Sequence, residues 1–227
     1  MNSILEETKQ NFRAPAFPGS FFISFEGIEG AGKSTQIILA KKFLEEHNFR
    51  VLILREPGGT SFGEKLRNAI LETKTEINPL SEALLFASSR AQLLIEVILK
   101  ELSVPNTIII CDRYIDSSLV YQGMARGLGV QTVLDLHKYF PLHLVPHLTF
   151  YLAIDANTSE KRQKIRNAPK DYFEAKGIEF YKNLVVGFEK ICELFPQRIV
   201  KINAEESKEK VSDEIYRNLL KLLESKN

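Results

Sequence analysis

The stretch FEGIEGAGKSTQ, Phe25 to Gln36, follows the apolar run SFFIS and opens a segment with helical character. Gly27, Gly32, Lys33 and Ser34 in it satisfy the spacing G-x-x-x-x-G-K-[ST]. Glycines at those places let successive backbone N–H groups turn inward on phosphate oxygens without a Cβ in the way. The helix that follows adds the partial positive charge of its N-terminus to the same anion. Lys33 would reach the outer phosphates and Ser34 would hold Mg²⁺. A strand, a phosphate loop and a helix in that order place the loop at the C-terminal edge of a parallel sheet, so the rest of the chain has to supply that sheet.

It does. FFISFE (21–26), RVLILRE (50–56), NTIIICD (106–112), LTFYLAID (148–155) and RIVKIN (198–203) are short runs of β-branched and aromatic residues, apolar almost throughout. Continuous apolarity implies burial on both faces, as in a parallel sheet covered by helices. Helical segments lie between them: Ser34 to Asn48, a stripe of Leu80, Leu84, Ala87, Ala91, Leu94 and Ile98, and a last stripe of Val211, Ile215, Leu219, Leu222 and Leu223. The pattern predicts an α/β three-layer sandwich of the P-loop type, with a five-stranded parallel sheet flanked by helices and a small helical lid. Residues 1–20, with two prolines and a glycine near their end and no clear period, read as an N-terminal extension outside the core. Residues 21–227 then form one domain.

Of the 227 residues, 30 are Lys or Arg and 29 are Asp or Glu, which leaves no global basic field to attract nucleic acid or an anionic membrane. No apolar run approaches the roughly 20 residues a membrane span needs. The N-terminus carries acids and no signal-type apolar stretch. Cys111 and Cys192 lie far apart without metal-site spacing and fit free thiols of a reducing compartment. A cytoplasmic protein without nucleic-acid or membrane partners is expected.

A switch GTPase would need a guanine-reading Asn-Lys-x-Asp, and the sequence has none; a translocase would carry a basic track. A small kinase with a charged second substrate remains. Asp112 ends the third apolar run, where a carboxylate can bind Mg²⁺ or cap the next helix. REPGGT (55–60) leaves Arg55 near the ligand-binding edge of the sheet. In LLFASSRAQ (84–92), Phe86 and Arg90 are one helical turn apart, a pairing that can stack a base and hydrogen-bond its edge. Taken singly, Phe86 and Tyr121 serve equally as core residues, and Arg55 and Arg90 as surface charges. In DRYIDSSLVYQG (112–123), Arg113 follows the Mg²⁺ acid directly.

These four motifs, in this order and spacing from about Phe21 to the C-terminus, resemble the thymidylate kinases, which phosphorylate dTMP with ATP. The resemblance implies ATP and Mg²⁺ at Gly27, Ile28, Glu29, Gly30, Ala31, Gly32, Lys33, Ser34, Thr35 and Arg162. It implies dTMP at Glu29, Arg55, Pro57, Phe86, Arg90, Arg113, Ser117, Ser118, Tyr121 and Gln122. Arg55 and Arg113 would grip the phosphate, Phe86 would stack on thymine, Arg90 would bond its O4, and Tyr121 would crowd the ribose 2′ position. Lys33, Arg113 and Arg166 would be catalytic, and Ser34 and Asp112 would hold the metal. The lid would span about 160–175. Gly30 after Glu29 matches the bacterial-like kind, whose catalytic cation comes from the lid. Tyr172 stands where that kind usually carries an arginine, so the cation falls to Arg166 or Lys170. His147 stands where aspartate is usual. A homodimer is implied as well. The acceptor phosphate needs no general base, so His47, His137, His143 and His147 read as surface or structural.

Overall fold

The computed structural model describes residues 10–166 and 171–224. Five parallel strands, β1 (Phe21–Glu26), β2 (Arg50–Arg55), β3 (Thr107–Asp112), β4 (Leu148–Ala153) and β5 (Ile199–Asn203), lie in the order β2-β3-β1-β4-β5. The central three are buried almost residue for residue, whereas the edge strands β2 and β5 alternate between buried and exposed. Continuous apolar runs thus mark the middle of the sheet, where side chains on both faces meet helices.

Helix α1 (Lys33–Glu46) follows β1. Helices α2 (Ser61–Leu71) and α3 (Pro79–Leu93) follow β2, and α3 continues through a wide π-type turn at Leu94–Ile98 to Leu102. Thr60 caps α2 by accepting from Gly63 N at 2.9 Å, and Asn78 caps α3, with Pro79 in the first turn where its missing N–H costs nothing. After β3 come α4 (Ile115–Ser118), which widens into π turns over Leu119–Ala125, and α5 (Val130–His137). Helix α6 (Ala156–Arg166) follows β4. A 3₁₀ turn (Glu174–Lys176) leads to α7 (Ile178–Leu194), and α8 (Lys208–Glu224) ends the described chain. Helices α1 and α8 pack together on one side of the sheet; on the other, α7 packs on the Leu119–Ala125 turns, β4 and β5. Phe22, Phe25, Ile110, Phe150 and Phe188 are among the fully buried residues between the layers, each stabilising the fold by about 1.5–3 kcal/mol.

Two expectations change. The stripe on α3 is not a simple core face: Leu80 and Leu84 are 44% and 47% exposed, while Glu82 and Arg90 on the same helix are buried. The stretch expected outside the core is partly inside it. Arg13 pairs with the 143–145 segment through two backbone hydrogen bonds, and Phe12 and Phe17 pack against the core. The aromatic side chains give this segment more burial than its prolines and glycine suggest.

Candidate active site

The C-terminal ends of β1, β2 and β3 open onto a cleft of about 480 Å³. At one end, Gly30 and Gly32 take positive φ angles of 79° and 89°, which an L side chain resists. A Cβ built on Gly32 meets nothing within 4 Å, so the space over the loop is open. No side chain caps the first turn of α1 and none in it is acidic, which leaves its N–H groups to an anion from outside. Lys33 is buried and its Nζ donates to Gly27 O and Ile28 O at 3.1 and 3.3 Å. Burial lowers its pKa first and the neighbouring Arg113 next, against which Asp112, Glu29 and Glu26 act.

The loop is buttressed by α6. Ser159 Oγ donates to Glu29 O at 2.6 Å and Arg162 Nη1 to Gly30 O at 3.0 Å. A Cβ on Gly30 would come within 3.2 Å of Arg162 Cβ, so a side chain at position 30 would press on this helix. Gly27, Ile28, Ala31 and Arg162 stand behind the cleft wall rather than on it. Gly27 is required there because a Cβ would lie 2.6 Å from Leu152 O.

Beyond the loop, Arg55, Arg67 and Arg113 line the cleft together with Asp112. Arg55 pairs with Glu64 at 2.9 Å and is half exposed; Arg67 donates to Pro57 O at 2.9 Å. Arg113 has a left-handed backbone, φ 68°, fixed by its N–H on Phe25 O at 3.0 Å. Its guanidinium lies over the Tyr121 ring, donates to Ser117 Oγ, and stands 3.8 Å from Glu29. Ser117 in turn donates to Glu26, a fully buried carboxyl that also accepts from Tyr114 N and that burial, then Asp116, pushes up to about 8. Asp112 Oδ1 is buried and, among the described residues, has no hydrogen-bond partner, while Ser34 lines the same cleft. An orphaned carboxylate oxygen beside a serine hydroxyl and open phosphate space is a fitting donor set for Mg²⁺, with the nucleotide supplying further oxygens.

The far end is walled by Phe86, Tyr121 and Phe173 and floored by polar groups. Arg90, 1% exposed, donates to Glu56 Oε2 from both Nε and Nη2, to Ser118 Oγ from Nη2, and bonds His137 through Nη1. Arg90 is therefore not the surface charge its type suggests. Gln122 donates to Glu82 at 2.8 Å, and Arg126 reaches both Glu82 and the Tyr172 hydroxyl. Pro57, Ser117, Ser118 and Thr35 also face the cleft.

Glu29, Gly30, Gly32, Lys33 and Ser34 of the loop and all the residues expected around the acceptor thus meet in one cavity. Reading by motif missed Glu56, Arg67, Leu71, Tyr114, Asp171, Phe173, Glu174 and Tyr181 as residues of the site. Arg67 carried a weak signal, since it follows REPGGT on the helix that motif starts. The cations expected from the lid fall outside what the structure describes: 167–170, Lys170 included, are not among the described residues, and neither is the Arg166 side chain. Asp171 and Glu174 cap the 3₁₀ turn reciprocally, and Tyr172 turns to the α2–α3 loop, where its hydroxyl accepts from Ile77 N at 3.3 Å. His137 and His147 are structural, the latter accepting from Phe22 N.

The family model described as Thymidylate kinase matches residues 25–215. The chain is 41% identical over 194 residues to a thymidylate kinase of Thermoanaerobacter sp., covering 86% of this chain and 94% of that protein. It is 43% identical over 204 residues to one from Acholeplasma laidlawii, covering 89% and 100%. The crystal structure of thymidylate kinase from Ehrlichia chaffeensis superposes with a TM-score of 0.71 at 32% identity, covering 89% of this chain and 99% of that one. With its phosphate loop, its arginine-lined cleft and this likeness along most of its length, the chain belongs to the thymidylate kinase family.

Proposed function

We infer that this chain transfers the terminal phosphoryl group of ATP to dTMP, giving dTDP and ADP. The observation that carries the reading is one cavity with a phosphate loop at one end, an aromatic and amide-lined pocket at the other, and Arg55 and Arg113 between them. The acceptor phosphate, with a second pKa near 6, is mostly a dianion at neutral pH and attacks without a general base. The protein's task is to bring two polyanions into line and to offset charge on the transferring group. Backbone N–H groups of Gly30, Gly32, Lys33, Ser34 and Thr35 and the Lys33 side chain hold the donor, with Gly27, Ile28 and Ala31 shaping the loop behind them, and Arg55 and Arg113 hold the acceptor phosphate. Ser34 and Asp112 would hold Mg²⁺, which when bound screens the donor phosphates. Phe86 stacks on the base, Arg90, Ser118 and Gln122 bond its polar edge, Pro57 shapes the pocket, and Ser117 steadies Arg113. Tyr121 crowds the 2′ position and Glu29 meets the 3′-hydroxyl. Arg162 sits on the donor side, and Arg166 is the lid cation.

We propose further that the protein is a homodimer in the cytoplasm. Exposed Leu80 and Leu84, one turn apart on α3, support a partner surface; free Cys111 and Cys192 fit a reducing compartment, and no described helix is long and apolar enough to cross a membrane. ADP release measured with dTMP, dUMP, dCMP, dGMP and dAMP tests the function: a clear preference for dTMP is expected, and equal rates would overturn the substrate assignment. Sedimentation at micromolar concentration tests the dimer, which a monomeric mass would refute.

A further inference from the structure

Arg90 is held on both edges of its guanidinium. One edge, Nε and Nη2, rests on Glu56 Oε2 at 2.8 and 2.5 Å, with Ser118 Oγ at 3.1 Å. The other edge, Nη1, meets His137 Nε2 at 2.7 Å, and His137 is itself 0% exposed. A guanidinium can only donate, so Nε2 must accept, and the ring proton must sit on Nδ1, where it is donated to Val133 O at 2.7 Å. Burial first, and the Arg90 charge second, hold the ring neutral, with its pKa down at about 3. Four of the five guanidinium hydrogens are thereby engaged, and Tyr114 lies under the plane at 4.9 Å. The hydrogen left over is on Nη1, beside the one that His137 takes, and Arg90 lines the cleft.

We propose that His137 is a specificity-positioning residue: by accepting one Nη1 hydrogen it fixes the tilt of the Arg90 guanidinium and so presents the second to an oxygen on the substrate's base. The proposal rests on the function inferred above. Without His137, the guanidinium would keep its Glu56 edge but could pivot about it, and a base bearing an amino group would be tolerated better. A site built to donate to a substrate oxygen rejects an analogue that presents a donor in its place, and that rejection weakens as the site's geometry loosens.

The test compares kcat/KM for dTMP, dUMP and dCMP in the purified full chain, since dTMP and dUMP carry an oxygen where dCMP carries an amino group. In His137→Leu the dTMP:dCMP ratio should fall about ten-fold, the equivalent of about 1.4 kcal/mol, mostly through a higher KM for dTMP, while the dTMP:dUMP ratio stays put. His137→Gln, whose amide oxygen can again accept from Nη1, should restore the dTMP:dCMP ratio to within about three-fold. If the leucine variant does not fold, His137→Met fills the volume without a comparable acceptor and carries the same comparison. An unchanged dTMP:dCMP ratio, or equal losses in the leucine and glutamine variants, would overturn the proposal. A wild-type chain without preference for dTMP would instead overturn the function on which it stands.

Discussion

The two ends of the cleft use arginine in opposite ways. At the base end, Arg90 is 1% exposed, its charge met by the buried Glu56 and its N–H groups by Glu56, Ser118 and His137. At the phosphate end, Lys33 is held by carbonyl oxygens, Arg67 by another, and Arg55 by a surface carboxylate 40% exposed. The first arrangement is all but complete before any ligand arrives, with one Nη1 hydrogen of Arg90 left over, and so serves to discriminate. The second gathers cations whose charge is met weakly from within, so that phosphate groups complete it. Preorganisation therefore belongs to the base end and charge compensation to the phosphate end, and substitutions at the two should fail in different ways.

Glu56→Ala should give the largest effect, and chiefly on stability. Removing one partner of a buried pair leaves Arg90 uncompensated, at a cost of about 3–5 kcal/mol. Urea unfolding measures it; a loss under about 1 kcal/mol would mean that the pair is not buried as described. Lys33→Ala should spare the fold and reduce kcat by about 10²–10³-fold with little change in the KM for dTMP, as expected for a charge that acts on the transferring group. Single-turnover rates near wild type would remove the contrast between the two ends.

The sheet and the donor loop were legible because their signals are local: five apolar runs became the five strands, and the loop glycines have the positive φ angles their spacing demands. The polar floor was not legible. Glu56, Glu82 and His137 are buried because they satisfy one another's neighbours, and pairing across 34 or 47 residues leaves no trace in periodicity. The same cause misled the reading of α3, where hydrophobic spacing pointed to Leu80 and Leu84 while the buried positions went to Glu82 and Arg90. Phe173, just ahead of the 3₁₀ turn, and Tyr181, in the first turns of α7, line the cleft without any local pattern that marks them.

Glu26 underlies the phosphate end and gives it a pH signature. Its carboxyl is pushed up to about 8 in the fold against an ordinary 4.5, by burial and then by Asp116. The folded state keeps a proton that the unfolded chain has released, so stability is lost as pH rises from about 4.5 to about 8 and levels off above, at no more than about 1.4 kcal/mol per pH unit. Glu26→Gln should flatten that decline in urea unfolding at pH 5, 7 and 8.5. An unchanged slope would show that another group carries it. Arg67→Ala should be milder: the KM for dTMP rises about ten-fold, roughly 1.4 kcal/mol, while the KM for ATP holds. A larger change for ATP would place Arg67 at the donor side.

The smallest effect should come from Tyr172. Its hydroxyl accepts from Ile77 N and from Arg126, both at 3.3 Å, and Arg126 continues through Glu82 to Gln122 in the cleft. That chain ties the segment ahead of the 3₁₀ turn and α7 to the base end, and Tyr172 itself does not line the cavity. Tyr172→Phe should therefore cost about 0.5–1.5 kcal/mol of stability, the net worth of such hydrogen bonds, and leave kcat within about two-fold. A fall in kcat like that of Lys33→Ala would move Tyr172 to the phosphate end, because only a group acting on the transferring phosphoryl lowers kcat while leaving substrate binding intact.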